Sequence, residues 1–239
     1  MQLFRSLLFT TYMMASACVF GGVMALGFWL PYRAQFAIAR TWARLLFCVL
    51  ECLCGLKFTV EGHERIPPGN HVVMSNHTSA WETVAPFLIF PPQVWVLKRE
   101  LLWIPFVGWG LKLLRPIAIN RGEGHRAVNQ VVDQGKARLK DGLWIVIFPE
   151  GTRVLAGKTR KFGVSGALLA IAAGKSVVPL SHNAGTFWPR RGFLKKPGTI
   201  RVIIGEPIDS AGKDPRVLNE EVRQSIEAGL ARIASSALD

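Results

Sequence analysis

The histidine in Asn76-His77-Thr78-Ser79-Ala80-Trp81-Glu82 is the residue of this 239-residue chain best suited to move a proton. An imidazole with an ordinary pKa of about 6.5 takes up and releases protons near neutrality. It does so best when a carboxylate fixes its tautomer and stabilises the imidazolium, and Glu82 stands five residues on. On one continuous helix that spacing would separate the two side chains by about 140°. They can meet only if His77 lies in a loop and Glu82 in the first helical turn, where the carboxylate can fold back. A plainer account is also open. Ser79 and Glu82 make a Ser-x-x-Glu capping box, which alone explains the glutamate and leaves His77 a polar loop residue.

Three further constellations could handle an anion or shape a site. In Phe148-Pro149-Glu150-Gly151-Thr152-Arg153 the glycine permits a tight turn with exposed amides, and Arg153 offers a planar fork for phosphate. Lys158, Arg160 and Lys161 follow, either as a solvated run or as an extension of that anion site. In Lys98-Arg99-Glu100-Leu101-Leu102-Trp103-Ile104-Pro105 and the later Arg115 to Arg121, the cations Lys98, Arg99 and Arg121 lie past strand ends. Converging near a histidine, they would form a pocket for a phosphomonoester. The neighbouring Trp103, Ile104, Phe106, Val107 and Trp109 either pack or touch a bilayer interface. Val178-Pro179-Leu180 runs into His182, Asn183 and Gly185. Its proline marks a strand end or bulge, and His182 reads as structural rather than catalytic.

The elements that must position these residues follow from periodicity. Short apolar runs at 57–61, 71–75, 93–97, 116–120, 143–148, 176–180 and 199–204 read as strands, several of them apolar on both faces. Between them, 124–140 repeats its apolar residues at helical spacing, 164–173 is apolar nearly all round with Gly174 as its stop, and 215–233 is an amphipathic closing helix. Alternation of this kind specifies an α/β fold: a layered, largely parallel sheet flanked by helices, with ligand-binding loops at the strand ends.

The N-terminus is different in kind. Ser6 to Tyr32 holds no charged residue, more than the ~20 residues that span a bilayer. A second apolar run, Leu45 to Leu56, is too short to span and carries Glu51, and Arg33, Arg40 and Arg44 lie between the two. A signal peptide with small residues at Ala15 to Ala17 is the competing possibility, but the apolar run continues past any such cleavage site. We expect a membrane-anchoring helix pair over residues 1–56 and a catalytic domain over residues 57–239. The net charge of +13 calls for an anionic partner, a membrane surface or a phosphorylated substrate. Nucleic acid is disfavoured because the basic residues are dispersed and no recognition motif is present. The cysteines, Cys18, Cys48, Cys52 and Cys54, lack metal-ligand spacing, and no metal site is expected.

Taken in order, the four blocks resemble the lysophosphatidic acid acyltransferases, 1-acylglycerol-3-phosphate O-acyltransferases of the bacterial type. Asn76-His77 with its acid five positions on resembles that family's first motif, Lys98 to Pro105 with Arg121 the second, Phe148 to Arg153 the third, and Val178-Pro179-Leu180 the fourth. The family's acid is usually aspartate, and Glu82 reaches one methylene further. The resemblance implies that His77 and Glu82 form the catalytic pair. It also implies that Arg153, helped by Lys98, Arg99 and Arg121, holds the substrate phosphate, with Glu150, Gly151 and Thr152 shaping the turn. It implies acyl transfer from a thioester, acyl-CoA or acyl carrier protein, to the free hydroxyl of lysophosphatidic acid. No other cofactor is needed, and the enzyme would work at a bacterial inner membrane with its site facing the cytoplasm. Rival acceptors are glycerol-3-phosphate, another lysophospholipid or a lyso-aminolipid. A non-catalytic binder of anionic lipid is the alternative from a different class.

Overall fold

A computed structural model describes residues 1–158 and 160–235, without the side chain of Arg121. The N-terminal helices are α1 (Gln2–Leu26) and α2 (Tyr32–Cys54). The strands are β1 (Leu56–Glu61), β2 (Val72–Ser75), β3 (Gln93–Lys98), β4 (Ile117–Ile119), β5 (Trp144–Ile147), β6 (Val177–His182) and β7 (Gly198–Ile204). Interleaved with them are α3 (Pro86–Ile89), α4 (Val107–Leu113), α5 (His125–Lys140), α6 (Ser165–Ala173) and α7 (Ala184–Phe187), and α8 (Pro215–Ser235) closes the chain. Gly174 ends α6 in the left-handed conformation (φ 59°).

The seven strands form one sheet in the order β1-β7-β6-β2-β5-β3-β4. Every neighbouring pair is parallel except β6 with β7. Alternate residues of the central strands enter two separate cores, as a period of two demands. Val73, Val146 and Val178 face one core, and Val72, Ile145 and Val177 face the other. The second core is closed by Val131 and Leu139 of α5, Leu169 of α6, and Leu218, Val222 and Ile226 of α8. The first is closed by α2, through Phe36, Ala39, Ala43, Leu46, Phe47 and Leu50. The helix expected only as an anchor therefore also completes the hydrophobic core.

Helix α2 is longer than the apolar run at 45–56. Arg33, Arg40 and Arg44 do not interrupt it, because they share its exposed face while the apolar residues repeat at three and four on the other. Helix α1 runs back along it. Gln35 donates to the carbonyls of Met24 and Gly27, Trp42 to Ser16, and Gln2 at the far end to the carbonyls of Cys54 and Lys195. Near its other end α1 crosses α4 at close range. A Cβ on Gly21 would collide with the carbonyl oxygen of Phe106, and one on Gly110 would lie 2.9 Å from the Cα of Gly21. Between these points Lys195, 2 % exposed, fastens α1 to the segment before β7. Its ammonium donates to Thr10 (2.5 Å) and to the carbonyl of Phe193 (2.8 Å), and lies 5.1 to 5.6 Å from the rings of Phe9, Trp188 and Phe193.

The sequence expectation for Pro179 needs correcting. It marks no strand end but sits inside β6, an interior strand, paired with Met74 of β2. The residue is tolerated because the ladder from β6 to β7 begins only at Leu180 with Ile204. Beyond that point the chain departs, and the carbonyl of Pro179 accepts from Gly205 N–H.

Candidate active site

Strand β2 ends at Ser75, and the chain then turns through an extended segment into a 3₁₀ turn at Trp81–Thr83 and the short α3, which restarts at Pro86. The helical turn expected at Glu82 is thus a short 3₁₀ piece, separate from α3. This turn brings the pair together. His77 Nδ1 lies 2.5 Å from Glu82 Oε1. The other oxygen, Oε2, accepts from Ser79 N–H at 2.8 Å, and Ser79 Oγ accepts from Trp81 N–H at 3.1 Å. The capping box and the histidine partnership are therefore both present, one on each carboxylate oxygen.

The imidazole is fixed by more than its carboxylate. It stacks on Phe148 with centroids 4.3 Å apart and 15° between planes, and its backbone carbonyl accepts from Val154 N–H at 2.8 Å. Both contacts come from the loop after β5, so that loop and the histidine hold each other in place. Burial pushes the Glu82 carboxyl well above the usual carboxylate range, against the pull of the Ser79 and Thr78 amides and Arg153. A carboxylate of raised proton affinity is a stronger acceptor for the imidazole N–H. With Nδ1 engaged, Nε2 is the nitrogen that can take a proton from an incoming group.

His182 enters the same cluster from the end of β6. Its side chain is fully buried, and Nε2 lies 3.2 Å from Glu82 Oε2 and 3.0 Å from the carbonyl oxygen of Asn76. Asn76 returns the contact: its side chain donates to the carbonyl of His182 and accepts from its N–H, each at 3.0 Å. Trp81 stands against the ring, with centroids 5.6 Å apart.

His77 lines a cavity of about 490 Å³. Trp42, Phe87, Trp95, Leu97 and Leu111 give it an apolar wall, and Lys98, Arg153, Arg190 and Arg191 with the neutral Thr152 a polar, positively charged one. Arg153 is half-buried, with its Nε buried and without a hydrogen-bond partner. Burial and the nearby Arg190 lower its pKa, and Glu82 opposes them. Thr152 shares the wall. Gly151 sits behind it at φ 68°, in a turn closed by its own N–H to Phe148 O (3.0 Å). Glu150 is buried, one of its oxygens lacks a partner, and burial pushes its carboxyl up to about 7.

The remaining expected cations are looser. Lys98 reaches the cavity but is half-exposed and pairs with Glu100 at 3.0 Å. Arg99 is exposed and is not among the cavity residues. The Arg121 side chain lies outside the described residues. Arg190 and Arg191 had not been expected. The signal for them was a basic pair shortly after a strand end, in Trp188-Pro189-Arg190-Arg191.

Comparison with known proteins places the chain in a family. The acyltransferase family model matches residues 57–183. The chain is 42 % identical to a Pseudomonas aeruginosa 1-acyl-sn-glycerol-3-phosphate acyltransferase, over 95 % of this chain and 89 % of that one. It is 28 % identical to the human 1-acyl-sn-glycerol-3-phosphate acyltransferase alpha, over 77 % of this chain and 67 % of the relative. The crystal structure of the 1-acyl-sn-glycerophosphate (LPA) acyltransferase PlsC from Thermotoga maritima superposes with a TM-score of 0.81 at 25 % identity, covering 98 % of each chain. The order of motifs, the fold and these relatives lead to one statement: the chain belongs to the acyltransferase family, among the 1-acyl-sn-glycerol-3-phosphate acyltransferases.

Proposed function

We propose that this protein transfers a fatty acyl group from an acyl thioester to the free hydroxyl of lysophosphatidic acid, giving phosphatidic acid. The observation that carries the reading is the buried His77–Glu82 pair, 2.5 Å apart, on the wall of a cavity that also presents Arg153. His77 Nε2 takes the hydroxyl proton as the oxygen attacks the thioester carbonyl. The tetrahedral intermediate collapses by breaking the carbon–sulfur bond, and the imidazolium returns its proton to the departing thiolate. Glu82 holds the ring and stabilises its charged form. Arg153 takes the acceptor's phosphate, with Lys98, Arg190 and Arg191 adding positive potential and the turn at Glu150, Gly151 and Thr152 setting its position. We assign Arg121 a supporting place in this set, and Arg99 a part only in the longer-range field. The apolar wall from Trp42 to Leu111 suits an acyl chain. The donor is acyl-CoA or acyl carrier protein, both anionic like the acceptor.

Residues 1–56 serve as the membrane anchor and residues 57–239 as the acyltransferase domain. Among the described residues α1 is the one helix long and apolar enough to cross a membrane. It is nevertheless docked on the rest of the molecule from Gln2 to Met24, which favours partial insertion from one side over an independent span. Phe28 and Trp29 at its end, with Trp103, Ile104, Phe106 and Trp109 near the α4 crossing, are exposed aromatic and apolar groups suited to the interface. There the basic surface draws anionic lipid, and the cytoplasmic side of a bacterial inner membrane is where thioester donors are made. Mass spectrometry of products from a panel of acceptors tests the activity. Phosphatidic acid from lysophosphatidic acid is the expected result. Turnover of another acceptor alone would overturn the choice of substrate, and no transfer to any acceptor would overturn the reaction.

A further inference from the structure

Glu82 has a second imidazole beside it, and the mechanism above does not use it. The ring of His182 is wholly buried, and its tautomer follows from its neighbours. Ala184 N–H points at Nδ1 from 3.3 Å, so Nδ1 is the acceptor and the proton sits on Nε2. That proton is donated to the carbonyl oxygen of Asn76 at 3.0 Å, and this fixes Nε2 3.2 Å from Glu82 Oε2. Burial lowers the ring's pKa to about 4, which keeps it neutral and a donor through a single nitrogen. The Asn76 side chain also holds the His182 backbone through the two reciprocal 3.0 Å bonds.

We propose that His182 is a positioning residue that holds Glu82 from the side opposite His77, so that the orienting carboxylate is shared between two rings of different duty. The inference rests on the reading that His77 and Glu82 carry the chemistry. The Glu82 side chain has one more rotatable bond than the aspartate usual in the family, so its carboxylate can swing sideways as well as reach. Two donors and one buried ring remove that freedom here: His77 Nδ1 on Oε1, Ser79 N–H on Oε2, and the His182 ring packed against Oε2 with Nε2 at 3.2 Å. A protonated His182 would compete with His77 for the carboxylate's charge. A neutral one steers the carboxylate and leaves that charge for the imidazolium formed during the reaction.

The test compares His182→Leu and His182→Gln in the full-length enzyme, in wild-type and Glu82→Gln backgrounds. In the wild-type background we expect His182→Leu to lower kcat roughly ten- to hundredfold, the scale of letting a catalytic group shift by up to about 1 Å. The acceptor KM should stay within about twofold, and His182→Gln, which keeps an N–H donor, should recover most of kcat. In the Glu82→Gln background the same leucine substitution should cost under about threefold, because the group it positions is already gone. Equal losses in both backgrounds, or no rescue by glutamine, would overturn the proposal and leave His182 a packing residue. If Glu82→Gln itself leaves kcat unchanged, it is the catalytic pair that fails, a different outcome. Should His182→Leu not fold, His182→Gln against His182→Asn serves instead. The shorter asparagine cannot reach Glu82, so equal kcat in those two variants would overturn the proposal.

Discussion

The strand ends on the two sides of the cavity are built in opposite ways. At the ends of β2 and β6, Asn76, His77, Glu82 and His182 are all buried, and they bond to one another or to nearby amides. At the end of β3, Lys98 is half-exposed and paired with Glu100, and Arg99 stands in solvent. The difference follows from what each end must do. Proton transfer requires a fixed ring and a fixed carboxylate, and a displacement of about 1 Å can cost on the order of 100-fold in rate. Attraction of an anion falls off gently with distance and tolerates mobile side chains. Arg153 stands between these extremes, half-buried and anchored through the β5 loop that also stacks on the histidine.

Substitutions should grade accordingly. His77→Ala removes the base and should lower kcat about 10²- to 10⁴-fold while lysophosphatidic acid still binds, as steady-state kinetics and a binding assay on one preparation would show. A comparable loss from Lys98→Ala would erase the contrast between the two ends. Arg153→Gln should raise the acceptor KM by roughly 10- to 100-fold with a smaller change in kcat, read from initial rates against acceptor concentration. Glu150 sharpens the comparison through stability. Its folded carboxyl is raised from 4.5 to about 7, so the protonated form is favoured in the fold. That stabilisation is fully present below the unfolded value and is lost as pH rises through about 7. Thermal melting across that window should show the decline, and Glu150→Gln should flatten it. Arg99→Ala is the smallest case. An exposed cation outside the cavity should change kcat/KM by less than about twofold at moderate salt.

Much of this was legible in the sequence, for reasons that also explain what was not. The strands announced themselves because a parallel sheet buried on both faces leaves apolar runs that little else produces. Glu82 read equally well as a cap and as a partner for His77 because a carboxylate has two oxygens, and both are used. The extent of α2 was hidden because Arg33, Arg40 and Arg44 break a linear hydropathy pattern but not a helical face. Pro179 misled because its tolerance depends on where β7 stops pairing, a fact of sheet registration rather than of local sequence. The approach of His182 to Glu82 was hidden for a similar reason, since only the pairing of β6 beside β2 brings it to a carboxylate 100 residues earlier in the chain. Arg190 and Arg191 lie in an irregular stretch whose course is set by the Lys195 fastening to α1, and no periodicity marks them.

The proposed chemistry requires a single placement: the acceptor's free hydroxyl at His77 with its phosphate at Arg153. A crystal structure with lysophosphatidic acid bound measures that directly. We expect the hydroxyl oxygen about 2.6–3.2 Å from His77 Nε2 while the phosphate contacts the Arg153 guanidinium. A phosphate seated instead at Lys98 and Arg99, with the hydroxyl beyond reach of the imidazole, would contradict it.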